Sequence, residues 1–445
     1  MHAVVVGLGK TGASCLRYLA RRGTRVSATD SRLAPPGLAE IGEFAGQVEL
    51  KLGGFDLSLL EGASQLLVSP GVSLDEPIAR EARARGIDVL GDIELFARAV
   101  RAPVIGITGT NGKSTVTTLV ARMAAAAGRT VLAGGNLGEP ALDLLEQPVP
   151  DLYVLELSSF QLETTASLSL AAAVVLNITA DHLDRYGSVA DYARAKERIY
   201  ARAATIVLNA DDPVVAAMGV RYREQGAQVV TFSLEHATSD FHLERDGART
   251  FLAHHGRRLL DTALMKIGGL HNAANALAAL ALGAAVGLPV SAMLAALQSF
   301  PGLSHRAAWV ADVDGVRYID DSKGTNVGAT IAAVTGLPGP LVMIAGGEGK
   351  GQDFAPLAPA FRGKVRHTVL IGKDGAAIGR ALAGVCPAES VGSMEAAVGA
   401  AQRVARPGDT VLLSPACASL DMFRDYGHRG DAFAAAVRAL PARSA

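Results

Sequence analysis

Gly106–Ile–Thr–Gly–Thr–Asn–Gly–Lys–Ser–Thr115 is the stretch that decides the fold. The apolar run Val104–Ile107 leads into it and the helical pattern Thr115–Ala127 follows, so it reads as a strand, a glycine-rich loop and a new helix. At Gly109 and Gly112 the lack of Cβ atoms lets backbone N–H groups crowd around phosphate oxygens, while the helix aims its positive end at them. In that geometry Lys113 reaches the β- and γ-phosphates of a nucleoside triphosphate and Ser114 ligates magnesium. The spacing is not that of the standard Walker loop, because Gly106 to Gly112 is longer and Gly109 to Gly112 shorter. The bland reading is a glycine turn with a surface lysine.

Working outward, short apolar runs alternate with glycine turns and alanine-rich helical segments, the pattern of an α/β protein built on parallel sheets. Ala3–Val6, Tyr153–Leu155, Ala173–Leu176, Ile206–Leu208, Leu341–Ile344, Thr368–Ile371 and Thr410–Leu413 are the other strands so predicted. Breaks at Arg98–Pro103 and Phe300–Pro301–Gly302 divide the chain into three expected domains, 1–100, 101–300 and 301–445. The more polar section from Val230 to Leu260 alternates as an antiparallel excursion would. Ile267 to Ser304 carries no Lys, Arg, Asp or Glu, but Gly287 and Pro289 break it into helices below the roughly 20 residues that cross a bilayer.

The 445 residues include 42 basic and 43 acidic side chains, so the net charge of -1 offers no general attraction to nucleic acid or an anionic membrane. Cys15, Cys386 and Cys417 lie far apart without paired or metal-type spacing, which points to a reducing cytoplasm. His2 to Val6 reads as a strand-like apolar segment without the basic start and small-residue cleavage site of a signal peptide, so export is not expected.

Other motifs fall at strand ends. Glu156 follows Tyr153–Leu155 and can give magnesium a hard oxygen. His182 and Lys196 lie nearby in sequence, though on their own they read more readily as a capping or packing residue and a solvated helix face than as parts of a site. Gly7–Leu–Gly–Lys–Thr–Gly12 with Asp30 resembles a dinucleotide fingerprint and supports a competing nicotinamide-dehydrogenase reading, yet the same turn cradles any diphosphate, including that of a UDP-sugar. Asp320–Asp–Ser–Lys–Gly–Thr–Asn326, Gly346–Gly–Glu–Gly–Lys–Gly351 and Leu413–Ser–Pro–Ala–Cys–Ala–Ser–Leu–Asp421 place lysines and hydroxyls where a small dicarboxylate could bind. Ordinary turn chemistry is the alternative there.

Together these motifs resemble the Mur ligase family from end to end. Gly109–Thr115, Glu156–Leu–Ser–Ser–Phe–Gln–Leu162, Asn177–Ile–Thr–Ala–Asp–His–Leu–Asp184 and His271–Asn–Ala–Ala–Asn275 resemble signatures of its central domain. Asp321–Asn326 with Ser414–Asp421 resembles the branch that adds D-glutamate, except that Gly324 stands where alanine is expected. The resemblance implies a Rossmann-like N-terminal domain, a central ATPase domain and a Rossmann-like C-terminal domain. It implies ATP, two magnesium sites and the small-molecule substrates UDP-N-acetylmuramoyl-L-alanine and D-glutamate, used by a monomer in peptidoglycan synthesis. Gly109, Thr110, Asn111, Gly112, Lys113, Ser114, Thr115, Asn275, Arg306 and Asp321 would bind ATP. Ser114, Glu156, His182 and Lys196 would serve the metals, with Lys196 carbamylated and Lys113 catalytic beside them. Thr11, Ser31, Arg32, Ser69, Gly71 and Asn136 would hold the UDP-sugar, and Lys323, Thr325, Lys350, Ser419 and the Leu420 backbone D-glutamate. A sister ligase adding another amino acid, a folylpolyglutamate-type ligase and a non-catalytic nucleotide-binding scaffold are the remaining alternatives.

Overall fold

The computed structural model describes residues 1–44 and 46–441. Three sheets organise them, and most strand pairs are parallel, as the alternating pattern requires. The first sheet has the order Glu49–Leu52, Arg25–Asp30, His2–Val6, Gln65–Val68, Asp88–Leu90, all parallel. The order reverses beside His2–Val6, so the loops after His2–Val6 and Gln65–Val68 flank a switch point, where open α/β sheets bind ligands.

The second sheet has nine strands, and Val104–Thr108 runs between Leu170–Val175 and Leu152–Glu156 in its interior. Val104–Thr108 and Leu152–Glu156 are buried along their whole length, because helices cover both faces of a parallel sheet. At one edge, Phe241–Asp246, Arg249–His254 and Arg257–Asp261 form the antiparallel excursion expected between Val230 and Leu260. The uncharged stretch forms two helices, Leu270–Ala285 and Val290–Ser299, and no described helix is long and apolar enough to cross a membrane.

The third sheet has the order Ala308–Val313, Val316–Asp320, Thr410–Leu413, Leu341–Gly346, Val365–Ile371, Ala388–Ser390. Only its first pair is antiparallel. Its faces carry two apolar cores, one around Leu357, Phe361 and Leu370, the other around Tyr318, Val369 and Phe433.

The three sheets group into two compact units. The first contains Met1–Ile178, Ala190–Leu264 and Ala274–Ser299; the second contains Thr179–Val189, Met265–Ala273 and the chain from Phe300 onward. Within the first unit the two sheets are joined by polar contacts as well as apolar packing. The Ser14 hydroxyl donates to Asp143 at 2.6 Å, Arg17 pairs with Asp143 at 2.9 Å, and Gln161 Nε2 donates to the buried Asp92 at 3.0 Å. Burial pushes the Asp92 carboxyl up to about 6 against the opposing Gln161 hydrogen bond.

Candidate active site

The loop after Val104–Thr108 takes its shape from two glycines and one asparagine. Gly109 has φ +145° and Gly112, which starts the helix Lys113–Ala126, has φ +87°. A Cβ on Gly112 would lie 2.4 Å from Asn275 Oδ1, and one on Gly109 2.9 Å from Leu176 Cβ. Asn177 clamps the loop from the neighbouring strand: its carbonyl accepts from Thr110 N at 2.9 Å, its side-chain oxygen from Asn111 N at 2.8 Å, and its Nδ2 donates to Asn111 O at 3.1 Å. The Lys113 ammonium folds back over the loop and donates to Gly109 O and Thr110 O at 2.9 and 2.8 Å. Thr110, Ser114 and Thr115 are buried beside it. A lysine held over a positively polarised loop at a helix start suits a triphosphate and contradicts the picture of a loose surface lysine.

Glu156 ends the adjacent strand and is 3% exposed. Asn136 holds it twice, through Nδ2 to Oε1 at 2.6 Å and through its backbone N–H to Glu156 O at 2.8 Å. This clamp requires the turn at Gly135, where a Cβ would come within 2.5 Å of Glu156 O. Lys196 is not the solvated residue that its helical setting permits: it is 1% exposed, with Nζ 3.4 Å from Thr108 Oγ1 and 4.5 Å above the Tyr192 ring. Ser114 and Glu156 are the hard oxygen donors that magnesium takes, so this donor set fits the ion. An ammonium at Lys196 would repel it, so an unmodified Lys196 is no donor for the ion.

In the N-terminal sheet, the GxGxxG turn packs tightly: a Cβ on Gly12 would fall 1.8 Å from Gly7 O. Ser69 Oγ donates to Gly7 O at 2.6 Å, linking the two loops at the switch point. Asp30 ends Arg25–Asp30, but both its oxygens are engaged. Oδ1 accepts from Arg32 N and Nε at 2.9 and 2.8 Å, and Oδ2 from Leu8 N at 2.7 Å and Arg32 Nη2 at 2.8 Å. Burial alone would raise this carboxyl, yet the Arg32 hydrogen bonds and the Leu8 N–H outweigh it and hold it at about 2. An aspartate so committed does not present an oxygen to a cofactor ribose, which removes the main support for the dehydrogenase reading. Thr11 is half-buried, whereas Ser31 and Gly71 are exposed; Asn136, also exposed, belongs to the second sheet, after Val131–Gly135.

In the second unit, loops after three neighbouring strands gather the remaining candidates. Asp321 Oδ2 accepts from Ser414 Oγ at 2.8 Å and Oδ1 from Ala307 N at 3.2 Å. Burial drives its carboxyl up to about 7, opposed by Ser414 and by the charge of Arg306. Gly324 has a local reason: a Cβ there would lie 2.7 Å from both Asp321 Oδ2 and Ser414 Oγ. Lys323 Nζ sits 3.7 Å above the Tyr426 ring. Lys350 lies 3.5 Å from Asp181, whose Oδ1 also accepts from His182 N at 2.9 Å. Ser419 is buried while Leu420 is 67% exposed. Seven non-glycine residues among those described have positive φ, and five of them, His182, His305, Ala307, Lys350 and Ala416, lie in this unit's candidate loops or next to Arg306. Such clustering of unfavourable backbone marks loops whose shape is set by something other than local preference.

The structure thus divides the candidates. Gly109 to Thr115, Glu156, Lys196, Asn136 and Asn275 belong to the first unit; His182, Arg306, Asp321, Lys323, Thr325, Lys350, Ser419 and Leu420 belong to the second. Sequence reasoning assigned no role to Asn177, although it opens a quoted motif, nor to Arg429, for which no motif gave a signal.

Family models cover this architecture sheet by sheet. A Mur ligase MurD-like N-terminal domain matches residues 1–91, a Mur ligase middle domain residues 107–283, and a Mur ligase glutamate ligase domain residues 305–417. The UDP-N-acetylmuramoylalanine–D-glutamate ligase of Nitrosococcus oceani is 55% identical over 441 residues, 98% of this chain and 96% of that protein. The chain belongs to the Mur ligase family. A relative with the same name in Methylococcus capsulatus is 52% identical over 440 residues, 99% of this chain and 95% of the relative. Among solved Mur ligase structures, the UDP-N-acetylmuramate–alanine ligase of Thermotoga maritima aligns over 98% of this chain and 99% of its own, with TM-score 0.62 and 20% identity. That last likeness establishes the Mur ligase fold, three mostly parallel sheets in an α/β chain, for this protein.

Proposed function

We propose that this Mur ligase joins D-glutamate to UDP-N-acetylmuramoyl-L-alanine at the expense of ATP, making an amide bond in peptidoglycan synthesis. The observation that carries the proposal is the identity of 55% and 52%, over nearly full length, to relatives named for that reaction. The clamped glycine loop with Lys113 folded over it supports the ATP half of the reading. The chain acts as a cytoplasmic monomer on small molecules, with three domains bounded near residues 100 and 300.

In the proposed reaction the L-alanyl carboxylate attacks the γ-phosphorus of ATP, ADP departs, and an acyl phosphate remains. The neutral amine of D-glutamate then attacks the acyl carbonyl through a tetrahedral intermediate. Loss of inorganic phosphate and of the amine proton leaves the amide. Lys113 and the loop N–H groups stabilise charge on the transferring phosphoryl oxygens. Magnesium, when bound, neutralises phosphate charge; Ser114 and Glu156 hold one ion, and His182 with Lys196 serves a second. For Lys196 this requires its neutral amine to attack carbon dioxide and lose a proton, which converts the nitrogen to a carbamate. Asn136 orients both Glu156 and the sugar nucleotide, whose uridine and diphosphate contact Thr11, Ser31, Arg32, Ser69 and Gly71. Asn275, Arg306 and Asp321 contact ATP. Lys323, Thr325, Lys350, Ser419 and the Leu420 backbone receive the D-glutamate carboxylates.

Phosphate release measured with all four components, then with each omitted in turn, tests the reaction; release that does not depend on D-glutamate, or that an L-amino acid supports and D-glutamate does not, would reject it. A carbamate signal at Lys196 in ¹³C spectra recorded with labelled bicarbonate, lost in Lys196→Arg, tests the modification.

A further inference from the structure

Arg429 heads the fully buried side chains by size among the described residues, 1% exposed, in the helix Tyr426–Arg438. Its guanidinium makes four hydrogen-bond contacts with two loops. Nε donates to Ser322 Oγ at 2.9 Å and Nη2 to Ser322 O at 2.8 Å. Nη1 donates to Cys417 O at 3.1 Å and Ala418 O at 3.2 Å. A third loop joins through Ala418, which exchanges backbone hydrogen bonds with Glu348, its oxygen accepting at 3.0 Å and its nitrogen donating at 2.9 Å. Ser322 immediately precedes Lys323, Ala418 precedes Ser419, and Glu348 lies two residues before Lys350.

All four acceptors are neutral. Asp421, Asp320 and Asp321 act on the Arg429 charge electrostatically and not through hydrogen bonds. A buried cation held directly by neutral oxygens is an expensive way to stabilise a core, where an apolar side chain of similar size usually serves stability as well. What an apolar side chain cannot do is fix two loops at one spacing through a rigid planar fork. We propose that Arg429 is a positioning residue of the amino-acid subsite. Without touching the amino acid, it holds the loops carrying Lys323, Lys350 and Ser419 at the separation that a dicarboxylate requires. Burial lowers the group to about 10, opposed by the nearby charges of Asp421, Asp320 and Asp321, which leaves it protonated and the fork intact at neutral pH.

The inference rests on the D-glutamate reading, and steady-state kinetics of Arg429→Lys separates the two. Lysine keeps the charge but cannot reproduce the fork. The KM for D-glutamate should rise roughly ten- to a hundredfold, the range expected for losing hydrogen bonds from a charged group. The KM values for ATP and sugar nucleotide should stay near wild type. A D-glutamate KM that stays near wild type, or three KM values that rise together, would overturn the proposal. If Arg429→Lys does not fold, Ser322→Ala, which removes only the hydroxyl facing Nε, is read by the same split: a selective rise in the D-glutamate KM supports positioning, and an unchanged one rejects it. Wild-type enzyme that releases phosphate with a different amino acid refutes the substrate assignment alone, and the KM split is then measured on that amino acid.

Discussion

Gly112 and Asp321 show how far single residues constrain this enzyme. At Gly112, φ +87° and the 2.4 Å approach to Asn275 Oδ1 leave no place for a methyl group. Gly112→Ala should therefore lower stability by roughly 1–3 kcal/mol and abolish nucleotide binding, read as a shifted urea midpoint and a lost ADP titration. In the proposed ATP site, Asp321 would control a different property. Its folded carboxyl sits at about 7, so the carboxylate that can accept from a nucleotide hydroxyl is progressively lost as pH falls through that value. ATP affinity should weaken below pH 7 and become flat with pH in Asp321→Asn; wild-type affinity that does not change between pH 6 and 8 would contradict this role. The glycine at 324 belongs to the same arrangement, because it leaves room for the Asp321–Ser414 hydrogen bond.

At the scale of elements, much was legible. Apolar runs such as Val104–Ile107 and Leu341–Ile344 became buried parallel strands because a strand covered on both faces has no polar side to advertise. The glycine loop was legible for a related reason: only glycine accepts its dihedral angles. Joints between elements were not legible, since they depend on partners distant in sequence. Asp92 is one such joint, meeting Gln161 of the helix Ser159–Glu163 at 3.0 Å. Its folded pKa of about 6 lies above the ordinary value of 3.8. The protonated form is thus the one that favours folding, fully so below about pH 4, and the contribution is lost as pH rises through 6. Asp92→Asn should accordingly gain on the order of 3 kcal/mol at pH 8 and little at pH 4, a difference visible in thermal melts at the two pH values. Arg429 escaped sequence reading for the same reason as Asp92, because an isolated arginine near the chain end gives no hint that two loops will close around it.

For the whole molecule, the division into units does not follow the chain. Thr179–Val189 and Met265–Ala273 belong with the region from Phe300 onward, although the sequence around them reads as part of the central region. A fragment beginning at Phe300 should therefore unfold at lower urea than the same region in the intact chain, monitored through Trp309, the only tryptophan. Equal midpoints would mean that the two upstream segments add nothing to that unit. Strand order has a consequence for synthesis as well. Thr410–Leu413 lies between Val316–Asp320 and Leu341–Gly346, so the middle of the third sheet is filled by the last strand to be made among the described residues. Until a ribosome has passed residue 413, Val316–Asp320 and Leu341–Gly346 each lack a strand that pairs with them in the finished sheet, and unpaired strand edges of that kind are open to mispairing with a neighbouring chain.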